Sequence, residues 1–358
     1  MKRLDRYIGK TVIFSMLVVI AIVYSLDLIF TLVDELVGTT ESYTLINALS
    51  FVAFTAPSNI YQLLPFTALG GALIGLGILA SNNELIVIQA AGVKVWRIVY
   101  AILKPTFVVM ALSLVIGEYI APPLEQLARS NKAIQLSDSA SVNSEQGTWH
   151  KVGNDYIHIN AIAPGGALLY GVTRYRIDAE RQVIAASFAE SADYIEAADE
   201  SYWRLYNVSE SLLGTASVTT QQYLQEDWKV DLSPQLLSVL LVEPQRQSIS
   251  GLYKLAQFFQ AEGLESGSYF LAFWKKLMQP LSTLALVILA VSFVFGPLRA
   301  ATMGFRLFVA LAIGLGFTIV ERLLEPASLL YGFNPAIAVL IPILVSGCAG
   351  FYLLQRVR

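Results

Sequence analysis

The chain has 358 residues, of which 55% are hydrophobic and only 14% charged, and its formal net charge is −3. Mean hydropathy is +0.59. Soluble chains carry about 25% charged residues, so a wholly water-soluble protein is excluded and much of this chain belongs in lipid.

A bilayer-crossing helix needs about 20 largely apolar residues. Six windows supply them, at 11–33, 60–80, 98–120, 277–295, 307–324 and 336–354. Lys2, Arg3, Arg6 and Lys10 precede the first window; Lys94, Arg97 and Lys104 flank the connection from the second to the third. Arg299 and Arg306 lie between the fourth and fifth, and Arg356 and Arg358 close the chain. The alternate connections, around 34–43 and 325–335, hold no basic residue. By the positive-inside rule both termini are cytoplasmic. No small-residue cleavage site follows the first span, so it is read as retained.

In chain order, YIGKT at 7–11 has the ending of a phosphate-binding loop, but Leu4 stands where that loop needs its first glycine. The strand before and the soluble helix after are also missing, so nucleotide is not bound there. From 44 to 80 the chain is charge-free for too long to be one straight span, and Pro57 and Pro65 predict a break near PSN. Gly71 and Gly75 have the spacing that lets helices approach closely, within the chain or against a subunit.

Residues 82–97 predict a short cytoplasmic helix. SNN at 81–83 offers capping side chains, and Glu84 in the first turn suits the helix dipole. Leu85, Ile88 and Gln89 recur at helical spacing, and Ala90-Ala91-Gly92 makes a small, close-packing end. A helix lying on the membrane surface usually carries basic residues along its polar face. One led by an acid also suits a basic groove on another protein.

Between the third and fourth spans, residues 122–266 form a polar insert outside the cytoplasm, where acidic residues outnumber basic ones. WHKV, DYIHIN, ALLYGVTRYRI, QVIAASF, DYIEA and YWRLYNVSE alternate with period two between Gly, Asn and Asp turns. They predict an antiparallel β sandwich or barrel. The domains are therefore 1–121 with three spans, 122–266 all-β, and 267–358 with three more. Cys348 is the one cysteine, which excludes an intrachain disulfide. His150 and His158 have no partner at metal spacing, and no nucleophile–base motif occurs. Asn207-Val208-Ser209 matches a glycosylation acceptor, a pattern common by chance.

Ionisable residues at membrane depth are costly and stand as functional candidates. Asp27 and Glu118 lie toward the outer ends of the first and third spans. Glu321, Arg322 and Glu325 close the fifth, with Arg322 and Glu325 spaced to pair on one face. Arg129 and Lys132 follow the third span, and Lys275 and Lys276 stand at the outer end of the fourth. Basic residues there suit a ligand with apolar tails and phosphates, or ordinary headgroup anchoring.

Pieces spread through the chain resemble one family in order and spacing. They are LDRYIGKT (4–11), GALIGLGILA (71–80), NELIVIQAAG (83–92), GEYIAPPLEQLAR (117–129), SISGL (248–252), QPLS (279–282), SFVFGPLR (292–299) and MGFR (303–306). Over nearly its whole length the chain resembles the LptF/LptG family, the permease subunits of the lipopolysaccharide-export ABC transporter, and within it the G branch. The resemblance implies an inner-membrane heterodimer with the paralogous permease LptF and a cytoplasmic ATPase homodimer, LptB, which binds the ATP and Mg. This chain would hold no cofactor. It also implies a single-span periplasmic bridge protein, LptC, a jelly-roll-like periplasmic β domain, lipopolysaccharide as cargo, and no nucleic acid.

On that resemblance Glu84 matches the acid that enters the ATPase groove, with Leu85, Ile88, Gln89 and Gly92 around it as the coupling surface. Arg129 and Lys132 match the basic pair after the third span, and Lys276, beside Lys275, matches a basic position by placement. One departure stands out. Related chains are basic where this one has Thr31, Val37, Gly38 and Ser58, and Asp34 and Glu35 make this mouth repulsive to phosphate. Headgroup binding then falls to the four basic residues, to the partner permease, or to divalent ions bridging to acids. The rival class is a membrane-anchored scaffold whose β domain binds partners. An intramembrane enzyme is disfavoured by the missing catalytic constellation.

Overall fold

A computed structural model describes residues 2–40, 43–137, 148–152, 155–163, 166–178, 182–196, 201–214, 217–230, 232–234, 237, 243–261, 266–296 and 301–356. In chain order the helices are α1 (Lys2–Val37), α2 (Leu45–Ser81), α3 (Glu84–Ala90) and α4 (Val95–Val115). A π-helical turn (Ile116–Ile120) leads into α5 (Ala121–Ser137). After the sheet come α6 (Ile249–Ala261), α7 (Gly267–Phe295), α8 (Met303–Tyr331) and α9 (Pro335–Arg356). Six of these runs are long and apolar enough to cross a membrane, α4, the π turn and α5 forming one of them. The expected Arg299 and Arg358 lie outside the described residues.

Two expectations about helix ends are corrected. The break near PSN does not occur; α2 runs unbroken through Pro57 and Pro65. A proline leaves the carbonyl four residues earlier without its helical donor, and in lipid that group needs another partner. For Pro65 the orphan is the Tyr61 carbonyl, and the Gln279 side-chain amide of α7 donates to it at 2.9 Å. The third span, expected to end at Ile120, also continues as helix to Ser137. The amide of Ala121 reaches back five residues to the Ile116 carbonyl. This widened turn admits Pro122 and Pro123 without ending the helix.

The chain divides into two compact units. The first comprises Met1–Phe30, Ala56–Ala121 and Gln247–Arg358. Its core is apolar and closely packed. A Cβ at Gly71 would lie 2.5 Å from Met16 Cα, and one at Gly75 3.0 Å from Val12 Cα. The two glycines therefore serve contact of α2 with α1 inside the chain. Arg306, near the start of α8, is buried and donates to the Gly77 carbonyl at 2.6 Å, near the end of α2. Only 22% of the apolar stretch of α1 and of α8 is buried, against 67% in α2, so those two helices keep broad apolar faces uncovered.

The second unit comprises Thr31–Thr55 and Pro122–Arg246. It holds a six-stranded antiparallel sheet: β1 (Thr148–Val152), β2 (Asp155–Ile162), β3 (Leu168–Ile177), β4 (Val183–Ile195), β5 (Tyr202–Leu213) and β6 (Val218–Trp228). Each strand pairs with its sequence neighbour, so the described strands form a meander. No crossover of the jelly-roll kind occurs among them. QVIAASF and DYIEA are parts of the one strand β4. The sixth strand was not foreseen, because its side chains are nearly all exposed and show no apolar alternation. Trp203 is fully buried and donates its indole N–H to the Leu232 carbonyl at 2.9 Å. Asn207, in the left-handed region at φ 50°, lies within β5 and donates to Glu190.

Candidate functional site

The helix expected over 82–97 is real but shorter, seven residues from Glu84 to Ala90. Asn83 caps it by backbone alone, in the left-handed conformation and without a side-chain hydrogen bond, so the capping expected of SNN is not made. At the other end Gly92 takes φ 82°, which glycine alone adopts without strain. Its N–H bonds the Gln89 carbonyl while Val93 N–H bonds the Ile88 carbonyl, closing the helix before α4 begins.

The amphipathic pattern divides the helix in two. Leu85 (4% exposed) and Ile88 (9%) are buried in the helical core. Ile86 (46%) and Val87 (66%) face outward, and Gly92 is exposed. Leu85 and Ile88 therefore fasten the helix, and its exposed surface is made by Ile86, Val87, Ala90 and Ala91. Glu84 and Gln89 are half-buried at the flank. The Glu84 carboxylate accepts a hydrogen bond from the Tyr7 hydroxyl of α1 at 2.8 Å. Asp5 of α1 pairs with Arg97 of α4 at 3.3 Å. The start of α1 is thus tied to both sides of α3, a linkage no local pattern announced.

The four basic candidates are all engaged. Arg129 bonds the fully buried Glu125 at 2.9 Å and pairs with Glu243 at 3.4 Å, while Arg246 pairs with the same Glu125 at 3.1 Å. Lys132 pairs with Glu35 at 2.7 Å, its ammonium 4.8 Å from the centre of the Phe51 ring. Glu35 also accepts from the Tyr43 hydroxyl. Lys275 bonds Glu325 and lies 4.0 Å from Glu321; Glu325 therefore serves Lys275 and not Arg322, which is exposed. Lys276 is 5% exposed and donates to the Gln247 carbonyl. Arg129 and Lys132 belong to the sheet-bearing unit, Lys275 and Lys276 to the other.

His158 is buried in β2 against the Trp149 ring at 4.8 Å, and burial lowers its pKa. The His150 side chain lies outside the described residues. No cluster of three His, Cys, Asp or Glu able to hold a metal occurs among the described residues.

Residues 6–356 match the family described as the lipopolysaccharide export system permease LptF/LptG. The chain is 33% identical over 354 residues to the lipopolysaccharide export system permease protein LptG of Escherichia coli strain K12, covering 98% of this chain and 96% of that protein. It is 32% identical over 356 residues to the protein of the same name from Haemophilus influenzae strain Rd, covering 99% of each.

Proposed function

The chain belongs to the LptF/LptG family of lipopolysaccharide export permeases, and from that premise we propose that it moves lipopolysaccharide out of the inner membrane on work done by a partner ATPase. The observation that carries the mechanism is α3. It is fastened to the helical core by Leu85 and Ile88, and it presents Ile86 and Val87 to whatever covers it. An exposed apolar step flanked by an acid fits a protein groove lined by apolar and basic side chains. Such a helix shifts only by carrying the ends of α2 and α4 with it.

Glu84 is the coupling acid of this reading, and Tyr7 and Asn82 orient it by hydrogen bonds. In this reading ATP and Mg belong to the ATPase, LptB; that Gly9 of YIGKT lies within α1, where a Cβ would sit 3.5 Å from Pro105, supports reading that segment as helix and not as a phosphate loop. The second permease is LptF and the periplasmic receiver is LptC. The termini are cytoplasmic and the sheet lies in the periplasm. The basic candidates act as structural pairs in this state, and cargo reaches Arg129 or Lys132 only by competing with Glu125, Glu243 and Glu35.

Co-purification tests the reading. The chain is expressed with its paralogue and ATPase, with and without Glu84→Lys. Charge reversal is expected to remove the ATPase while leaving the chain inserted in the membrane. Tyr7→Phe, which keeps the acid and removes its orienting bond, is expected to lower ATPase retention about two- to five-fold. A chain that retains the ATPase regardless of Glu84 would return the scaffold reading.

A further inference from the structure

Two of the motifs, GEY at 117–119 and SISGL at 248–252, have no part in the ATPase contact. The structure brings them together. Glu118 in the π turn accepts the backbone N–H of Ile249 at 2.7 Å and of Ser250 at 3.2 Å, and the Ser250 hydroxyl at 2.6 Å. Those amides open α6, where no carbonyl of the helix itself can reach them, and a carboxylate complements the positive helix end. Two residues before Ile249, the Gln247 carbonyl accepts from Lys276 of α7. The Lys276 ammonium lies 5.0 Å from the centre of the Tyr61 ring of α2. That ring is pressed on the π turn in turn: a Cβ at Gly117 would fall 2.5 Å from Tyr61 Cε2.

The meaning lies in where these residues fall along the chain. The chain leaves the span-bearing unit after Ala121 and returns to it at Gln247. Glu118 stands three residues before the exit, and 247–250 form the return. We infer that Glu118 and Lys276 form a permanent brace that makes the departing and returning chain one body. A movement of the third span then reaches both ends of segment 122–246 at once. Both Glu118 oxygens are engaged, and opening the brace would strand a buried ammonium and two helix-end amides, which is costly in an apolar surrounding. The π turn supports this, since its wider backbone is where a continuous helix can carry a proline pair and still hold Glu118 toward α6. Glu118 is thus a positioning residue for coupled export, which rests on the permease reading above.

The test uses the full permease–ATPase complex in vesicles containing lipopolysaccharide, scoring ATP hydrolysis and ATP-dependent transfer of lipid to a soluble acceptor. Wild-type complex that hydrolyses ATP without transfer would count against the permease reading itself, before any variant is made. Glu118→Ala is expected to assemble, hydrolyse ATP within about two-fold of wild type, and lose about five-fold or more of its transfer per ATP. Glu118→Gln, which keeps one accepting oxygen, is expected to recover part of it. Because Glu118→Ala could also weaken folding, cysteines are placed at 118 and 250 in a Cys348→Ser background and joined by a short thiol-specific cross-linker. Cross-linking is expected to restore transfer. Normal transfer by Glu118→Ala, or a cross-linked complex that hydrolyses ATP and stays unable to transfer, would overturn the permanent brace.

Discussion

A charged side chain near lipid is defined by its partner more than by its sign. Lys132 and Glu35 each look like a cargo feature, one attracting phosphate and one repelling it, yet they pair at 2.7 Å and cancel. Arg129, Arg246, Glu125 and Glu243 form a balanced group of four in the same way. His158 shows a different consequence of burial. It is 5% exposed, and burial holds its pKa below the ordinary 6.5, against an opposing hydrogen bond with Asn160. The unfolded chain therefore takes up a proton first as pH falls through 6.5, so the stability contributed by the neutral ring is complete above that value and declines below it. Amide exchange in β2 of the whole complex, corrected for intrinsic rates, is expected to be faster at about pH 5.5 than at about pH 7.5. His158→Gln is expected to flatten that difference. The Arg204–Asp227 pair does not contribute in this window, because its hydrogen bond lowers the Asp227 pKa from an already acidic 3.8.

At the scale of elements, prolines in apolar helices ask which group takes the abandoned carbonyl. Gln279→Leu leaves the Tyr61 carbonyl unpaired among apolar neighbours and is expected to cost about 1–3 kcal/mol. Adding Pro65→Ala returns a helical N–H to that carbonyl, so the double variant is expected to be more stable than Gln279→Leu alone. Thermal midpoints of the four members of this cycle in detergent give the coupling. The same pair explains what was legible in the sequence. Hydropathy and the distribution of Lys and Arg suffice for six spans, since length and charge are local properties. Continuity of α2 depends on a glutamine in α7, which no local rule contains, and a rule derived for helices in water predicts a break. Period-two alternation likewise reveals β1 to β5 but not the exposed β6. In α3, the sequence singles out Glu84 while the periodicity cannot say that Leu85 and Ile88 face the core and Ile86 and Val87 do not.

For the whole molecule, the uncovered faces of α1 and α8 pose the remaining question of assembly. On α8 the outward residues Phe308, Leu311, Leu315, Ile319 and Leu323 recur at helical spacing with Gly316 among them. A Cβ at Gly316 would meet nothing within 4 Å, whereas one at Gly314 would approach Phe66 at 3.4 Å. Lipid tails fill space around a glycine or a leucine equally well, so a lipid-facing site is indifferent to the larger side chain. A second helix packed there is not, because association in membranes depends on close van der Waals contact at small residues. The heterodimer proposed above needs at least one such face covered by the paralogue. Gly316→Leu is therefore expected to leave insertion of the chain intact and to reduce recovery of the paralogous permease about ten-fold, the scale of an overpacking penalty of about 1–3 kcal/mol. Quantitative co-purification with Gly304→Leu as control, a site where a Cβ would likewise meet nothing within 4 Å, separates the effect from added bulk in general. Undiminished recovery with Gly316→Leu would assign that face of α8 to lipid and leave α1 as the face for the partner.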